Sequence, residues 1–109
     1  MTYHYKLTKD KKAIPCTMEE WGRQLNEMVD TNTKHVKDET IEGYRISTVW
    51  LGLDHSFCGG SPLLFETMIF KGNDFTDLYC TRYTTWEEAE EGHKRAVQWL
   101  HETILDAES

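Results

Sequence analysis

The segment Asp54 to Pro62 (DHSFCGGSP) interrupts the most apolar part of the chain and gathers several chemically versatile side chains. Asp54 and His55 place a carboxylate beside an imidazole, a pairing used in both acid–base chemistry and metal ligation. Glu66 lies inside LLFETMIF, where a charge is unexpected, and His93 falls on the apolar stripe of the final helical segment. Brought together, Asp54, His55, Glu66 and His93 would form the site of a small metal-dependent or acid–base hydrolase. Kept apart, Asp54 caps a turn and His55 is a loop residue. Glu66 and His93 would then bond each other between sheet and helix, because a buried carboxylate without a partner is costly. Gly59 and Gly60 add backbone freedom, and their amides form a small anion nest if the turn curls. The three cysteines, Cys16, Cys58 and Cys80, are odd in number and lack CxxC spacing. They read as reduced thiols rather than a disulfide or zinc framework, with Cys58, near His55, the best placed to react. No phosphate loop, dinucleotide fingerprint, HExxH or nucleophile elbow is present, so no cofactor is expected.

The elements that position these residues follow from periodicity. Tyr3, Tyr5 and Leu7 alternate with His4 and Lys6, predicting a strand. Lys9 to Lys12 predict a turn, and Ala13 to Cys16 a short return strand kept at an edge by Pro15. Thr17-Met18-Glu19-Glu20 is a capping box, and Met18, Trp21, Leu25, Met28 and Val29 continue it as an amphipathic helix ending at Asp30-Thr31-Asn32. Val36 to Ile41 predicts a strand, Glu42-Gly43 a tight turn, and Tyr44 to Leu53 and Leu63 to Phe70 the two strongest strands. Those two are apolar at nearly every position, which predicts cover on both faces, from this chain or from a partner. If they form a hairpin centred near Cys58, Glu66 stands opposite Trp50. It is then about 13 Å along the strand from the loop, which disfavours contact with His55. Leu78 to Tyr83 adds a strand. Thr85-Trp86-Glu87-Glu88 opens a second capped helix whose stripe is Ala89, His93, Ala96, Val97, Leu100 and Ile104. Gly92 costs that helix about 1 kcal/mol, which predicts close approach to the sheet. The order ββαββββα predicts an α+β fold, an antiparallel sheet of about five to six strands with two helices on one face, in a single domain 1–109.

The strings TVWLGLDHSFCGGSPLLFETMIF (Thr48 to Phe70) and YTTWEEAEEGH (Tyr83 to His93) resemble a family of small bacteriophage and prophage proteins. That family carries an LGLDHxF run, a glycine-rich turn, PLLFETM, and a TWEEAxxGH helix start. The dense match covers about a third of the chain, and the element order nearly all of it. Cys58 departs from the pattern where the family often has Gly, which argues against a thiol chemistry common to the family. The resemblance implies a phage-type accessory protein acting in the host cytoplasm.

Composition narrows the partners. The chain has 109 residues, 39% of them hydrophobic, with 12 Lys and Arg against 19 Asp and Glu. A net charge of −7 argues against direct nucleic-acid or anionic-membrane binding, since both need a basic footprint. No run of 18 or more apolar residues is present to span a membrane, and the polar N-terminus has no signal-peptide core. Residues 1–83 carry −2 and residues 84–109 carry −5, so the acid surplus sits mainly on the last helix. Glu87, Glu90 and Glu91 there, with Trp99 about 100° off the Leu100 stripe, are candidate partner contacts. Asp54, His55, Gly59, Gly60, Glu66 and His93 are candidate ligand contacts. The function expected from sequence is non-enzymatic: binding a host macromolecule, such as a defence or metabolic factor, or sequestering a small ligand. A homodimer that covers the second sheet face is a further expectation.

Overall fold

The structure, a computed structural model, describes residues 3–56, 60–74 and 76–106. Strands β1 (Tyr5–Leu7) and β2 (Ala13–Pro15) pair antiparallel, with Tyr5 opposite Pro15. Thr8 holds their turn. Its carbonyl accepts from the Lys11 amide, its amide donates to the Lys12 carbonyl, and its hydroxyl accepts from the Lys12 amide. Lys11 consequently takes a φ of 64°, the left-handed region that non-glycine residues seldom occupy.

Helix α1 (Met18–Thr31) starts at the expected capping box and stops at Asn32, whose left-handed backbone donates back to the Met28 and Val29 carbonyls. It docks on the hairpin: Gln24 exchanges two hydrogen bonds with the Leu7 backbone, and Lys6 Nζ lies 2.7 Å from Glu20 Oε2. Its apolar stripe is only partly covered. Trp21, Leu25 and Met28 are half-buried, whereas Met18 and Val29 are each 62% exposed.

Strands β3 (His35–Ile41), β4 (Tyr44–Trp50), β5 (Phe65–Lys71) and β6 (Asp77–Tyr83) form a separate antiparallel sheet in that order. Positive φ at both Glu42 and Gly43 makes the β3–β4 link a two-residue turn whose twist suits a hairpin. Helix α2 (Trp86–Leu100) begins at Thr85 with the second capping box and ends in a single π-helical turn, His101–Leu105.

The fold is the expected α+β class in the expected order, but six strands do not make one sheet. Past Trp50 the chain leaves the ladder at Gly52, which takes a φ of 72°. The Leu51 and Gly52 amides share the Leu64 carbonyl, and the Gly52 carbonyl accepts from Tyr5. The N-terminal hairpin therefore hangs on this irregular connection and carries α1 with it. Only α2 crosses the four-stranded sheet, which corrects the picture of two helices sharing its face.

The core is the interface between α2 and one sheet face. Tyr44, Ile46, Thr48 and Trp50 alternate inward with Phe65, Thr67 and Ile69, against Ala89, Gly92, His93, Ala96 and Leu100. Each large apolar side chain sealed here contributes about 1.5–3 kcal/mol. The opposite face presents Arg45, Ser47 and Val49 beside Glu66, Met68 and Phe70, half-buried or exposed. Among the described residues no element covers it, so those residues screen only one side of the two most apolar strands.

Candidate functional site

The residues singled out from sequence do not converge. The β4–β5 register pairs Glu66 with Val49 rather than Trp50. A one-residue offset moves a side chain to the other face of a sheet. Glu66 therefore points outward, 2.9 Å from Arg82 Nε and 3.7 Å from Cys80 Sγ, while His93 lies on the inner side. Asp54 caps its own loop: Oδ1 accepts from the Ser56 amide at 2.8 Å and the Leu63 amide at 3.0 Å. Burial pushes that carboxyl up, yet the amide bonds outweigh it and hold the group below its ordinary value. The His55 amide donates to the Leu63 carbonyl. Gly60 is exposed with a φ of 84°, and Cys58 and Gly59 lie outside the described residues. Among the described residues, no three His, Cys, Asp or Glu side chains gather as a metal site would require.

His93 instead anchors a buried polar row that sequence reading missed. Its Nδ1 lies 2.6 Å from Thr48 Oγ1, its Nε2 lies 2.9 Å from Glu39 Oε1, and Thr48 Oγ1 lies 2.6 Å from Thr67 Oγ1. One assignment satisfies each proton. Nε2–H donates to Glu39, Nδ1 accepts the Thr48 hydroxyl, and Thr48 accepts from Thr67. Hydroxyl, imidazole and carboxylate are the components of a nucleophilic triad. Thr48 and Thr67 are fully buried, however, and Thr48 Oγ1 is engaged on both sides. The row ties α2 to β3, β4 and β5; Glu39 at its outer end is partly exposed, and His93 lines a cavity of about 110 Å³ with Val36, Lys37, Glu90 and Lys94. The signal in sequence was two threonines at core parity within apolar strands. Glu39 was not legible because the irregularity between His35 and Lys37 spoils the alternation of β3.

A cavity of about 320 Å³ opens elsewhere, where the hairpin, the start of β5 and the start of α2 meet. Its walls are mainly aromatic and aliphatic, from Tyr5, Leu64, Phe65 and Trp86 with Ala13 and Pro62, and Thr84 and Thr85 add hydroxyl groups. Phe65 meets Trp50 and Trp86 edge-on, at 4.9 and 6.1 Å between ring centroids, which fixes the back wall. Lys11 and Lys12 stand at the hairpin side, and Glu87 at the helix side. Lys11 Nζ sits 4.9 Å above the Trp86 ring. The same Lys11–Trp86 stack borders a second cavity of about 230 Å³, against α1, so it forms the partition between the two. At the start of α2 the capping box engages the Thr85 and Glu88 amides.

The remaining candidates lie on α2. Glu87, Glu90 and Glu91 are exposed, and Glu91 is 3.3 Å from Lys94. Trp99 is half-buried against Tyr79, with 5.1 Å between ring centroids, and so borders the core. No helix of the described residues is long and apolar enough to cross a membrane. No family model, no curated protein and no solved structure matches this chain.

Proposed function

We propose that the protein works by binding rather than by turnover, and that it sequesters a small ligand in the cavity between the hairpin and α2. The observation that carries this reading is the cavity itself. Its volume of about 320 Å³ falls within the range of small-molecule sites, and its apolar walls with a few polar groups match their usual make-up. The Thr48 hydroxyl, buried and bonded on both sides, supports a structural role for the Thr48–His93–Glu39 row rather than an enzymatic one. The resemblance to phage and prophage proteins fits an accessory factor that holds its ligand inside a host cell.

Protein purified gently from a bacterial host is expected to carry a small-molecule adduct in native mass spectrometry. The adduct should be released by denaturation and absent from Thr84→Trp, a bulky replacement at a residue that lines the cavity. A wild-type protein as empty as the filled variant would refute the reading.

A second reading has one observation in its favour. Glu87 and Glu90 are exposed and form no ion pair among the described residues, so α2 presents uncompensated acids to solvent. Such a face suits a basic surface on a host macromolecule. The triple reversal Glu87→Lys, Glu90→Lys, Glu91→Lys should then weaken capture of that partner while leaving the folded spectrum intact.

A further inference from the structure

We infer that the ligand taken by this cavity is a flat aromatic anion, a ring system bearing a carboxylate or phosphate, and that Lys11 is the group that selects it. This rests on the cavity being a ligand site. Three independent observations set the chemistry. The walls are rings and short aliphatic groups, with Tyr5, Phe65 and Trp86 presenting surfaces suited to a planar guest. Two ammonium groups, Lys11 and Lys12, line the same opening against a single carboxylate, Glu87. That local excess of positive charge occurs in a chain of net −7, so it is a concentration and not a general background. The hairpin turn also accepts an uncommon backbone conformation at Lys11, braced by three Thr8 hydrogen bonds, and thereby holds its ammonium over Trp86.

Without ligand, Lys11 caps the Trp86 face. A ring entering the cavity competes for that face, and its anionic group offers the displaced ammonium a stronger partner than the indole. A neutral ring would displace Lys11 without that compensation. A cationic ring would meet two ammonium groups. The anion contact is assigned to the lysines, the two cationic side chains that line the opening; at the helix start the capping box already engages the Thr85 and Glu88 amides. Glu87 opposes the anion and so limits affinity.

The test is calorimetric titration of the full chain with four probes: naphthalene carboxylate, naphthyl phosphate, neutral naphthyl methanol, and inorganic phosphate. Both aromatic anions should bind more tightly than naphthyl methanol by about tenfold, the size of one charge-assisted contact, and inorganic phosphate should not bind measurably. Lys11→Gln should remove most of that margin, weakening the anions while leaving naphthyl methanol no weaker, since the neutral ring no longer has to displace an ammonium from Trp86. Glu87→Gln should tighten the anions. Thr84→Trp and, from the opposite wall, Ala13→Phe should abolish binding of every aromatic probe. Equal affinity for charged and neutral rings, both lost in the filled variants, would overturn the anion assignment while leaving the cavity as the site. Aromatic binding that survives both filled variants would overturn the cavity reading itself. Failure of all four probes would overturn the inference.

Discussion

At the scale of single residues, the most informative side chain is Thr48. Its hydroxyl bridges Thr67 and His93, and each of those groups lies out of reach of water. Thr48→Val keeps the shape and removes the bridge, which leaves a buried ring nitrogen without a donor. It should therefore lower stability by about 1–3 kcal/mol, read from urea unfolding at neutral pH. Tyr83 offers the opposite case. Among the described residues its buried hydroxyl has no hydrogen-bond partner in bonding geometry, and burial pushes its pKa up against a smaller lowering by the neighbouring Thr67. Tyr83→Phe deletes an unsatisfied group and should leave the melting temperature unchanged or raise it. A large loss in that variant would show that the hydroxyl has a partner.

At the scale of elements, the contact of α2 with the sheet depends on Gly92. A methyl group there would fall 2.1 Å from the Tyr83 ring. Gly92→Ala improves helix propensity by about 1 kcal/mol, but it forces the ring or the helix to move, and overpacking of this kind costs about 1–3 kcal/mol. The net effect should be destabilising at equilibrium, with Tyr83→Leu in the same chain restoring part of the loss. Alternation in β4 and β5 explains why the core is so well defined: every second residue is sealed under α2. Among the intervening residues, Val49, Met68 and Phe70 are half-buried and apolar, beside the polar Arg45, Ser47 and Glu66. These three apolar side chains explain why both strands looked two-sided in sequence, although the described residues cover them on one side only.

At the scale of the whole molecule, two modules meet at the connection around Gly52. One is the four-stranded sheet with α2, and the other is the hairpin with α1. The Lys6–Glu20 pair helps hold the second together. Hydrogen bonding to Lys6, and then to the Thr17 amide, lowers the Glu20 pKa from an ordinary 4.5 to about 2. A depressed folded-state pKa contributes stability that is present above the unfolded value and lost as pH falls through the folded one. The contribution is thus complete above about pH 4.5 and fades toward about pH 2. The partner effect on Lys6, raised chiefly by its hydrogen bond to Glu20, is lost only as pH rises above its ordinary 10.5. Amide hydrogen exchange should show α1 and the hairpin losing protection on acidification before α2 does. Glu20→Gln should remove that acid step. Both side chains are partly exposed, so the step should shrink at high salt.

Local chemistry was legible without coordinates. Both capping boxes, the α1 stop at Asn32, the Glu42-Gly43 turn, the two dominant strands and the close approach at Gly92 all follow from short-range rules, in which a residue acts on backbone three or four positions away. The candidate site was not legible, because it depends on register. Whether Glu66 faces His93 turns on a single residue of offset between β4 and β5. Glu39 reached His93 across 54 positions, through a strand whose bulge hides its inward face. The cavity joins residues from the hairpin turn, β5 and the start of α2, and no spacing along the chain records such a meeting. Sequence alone determined the elements and the helix starts, since these are governed by local hydrogen bonding and periodicity, whereas β4 stops at Trp50 and not at Leu53. Tertiary structure decided which face each polar group occupies and where a ligand fits, since these depend on strand register and on how the hairpin hangs from the sheet.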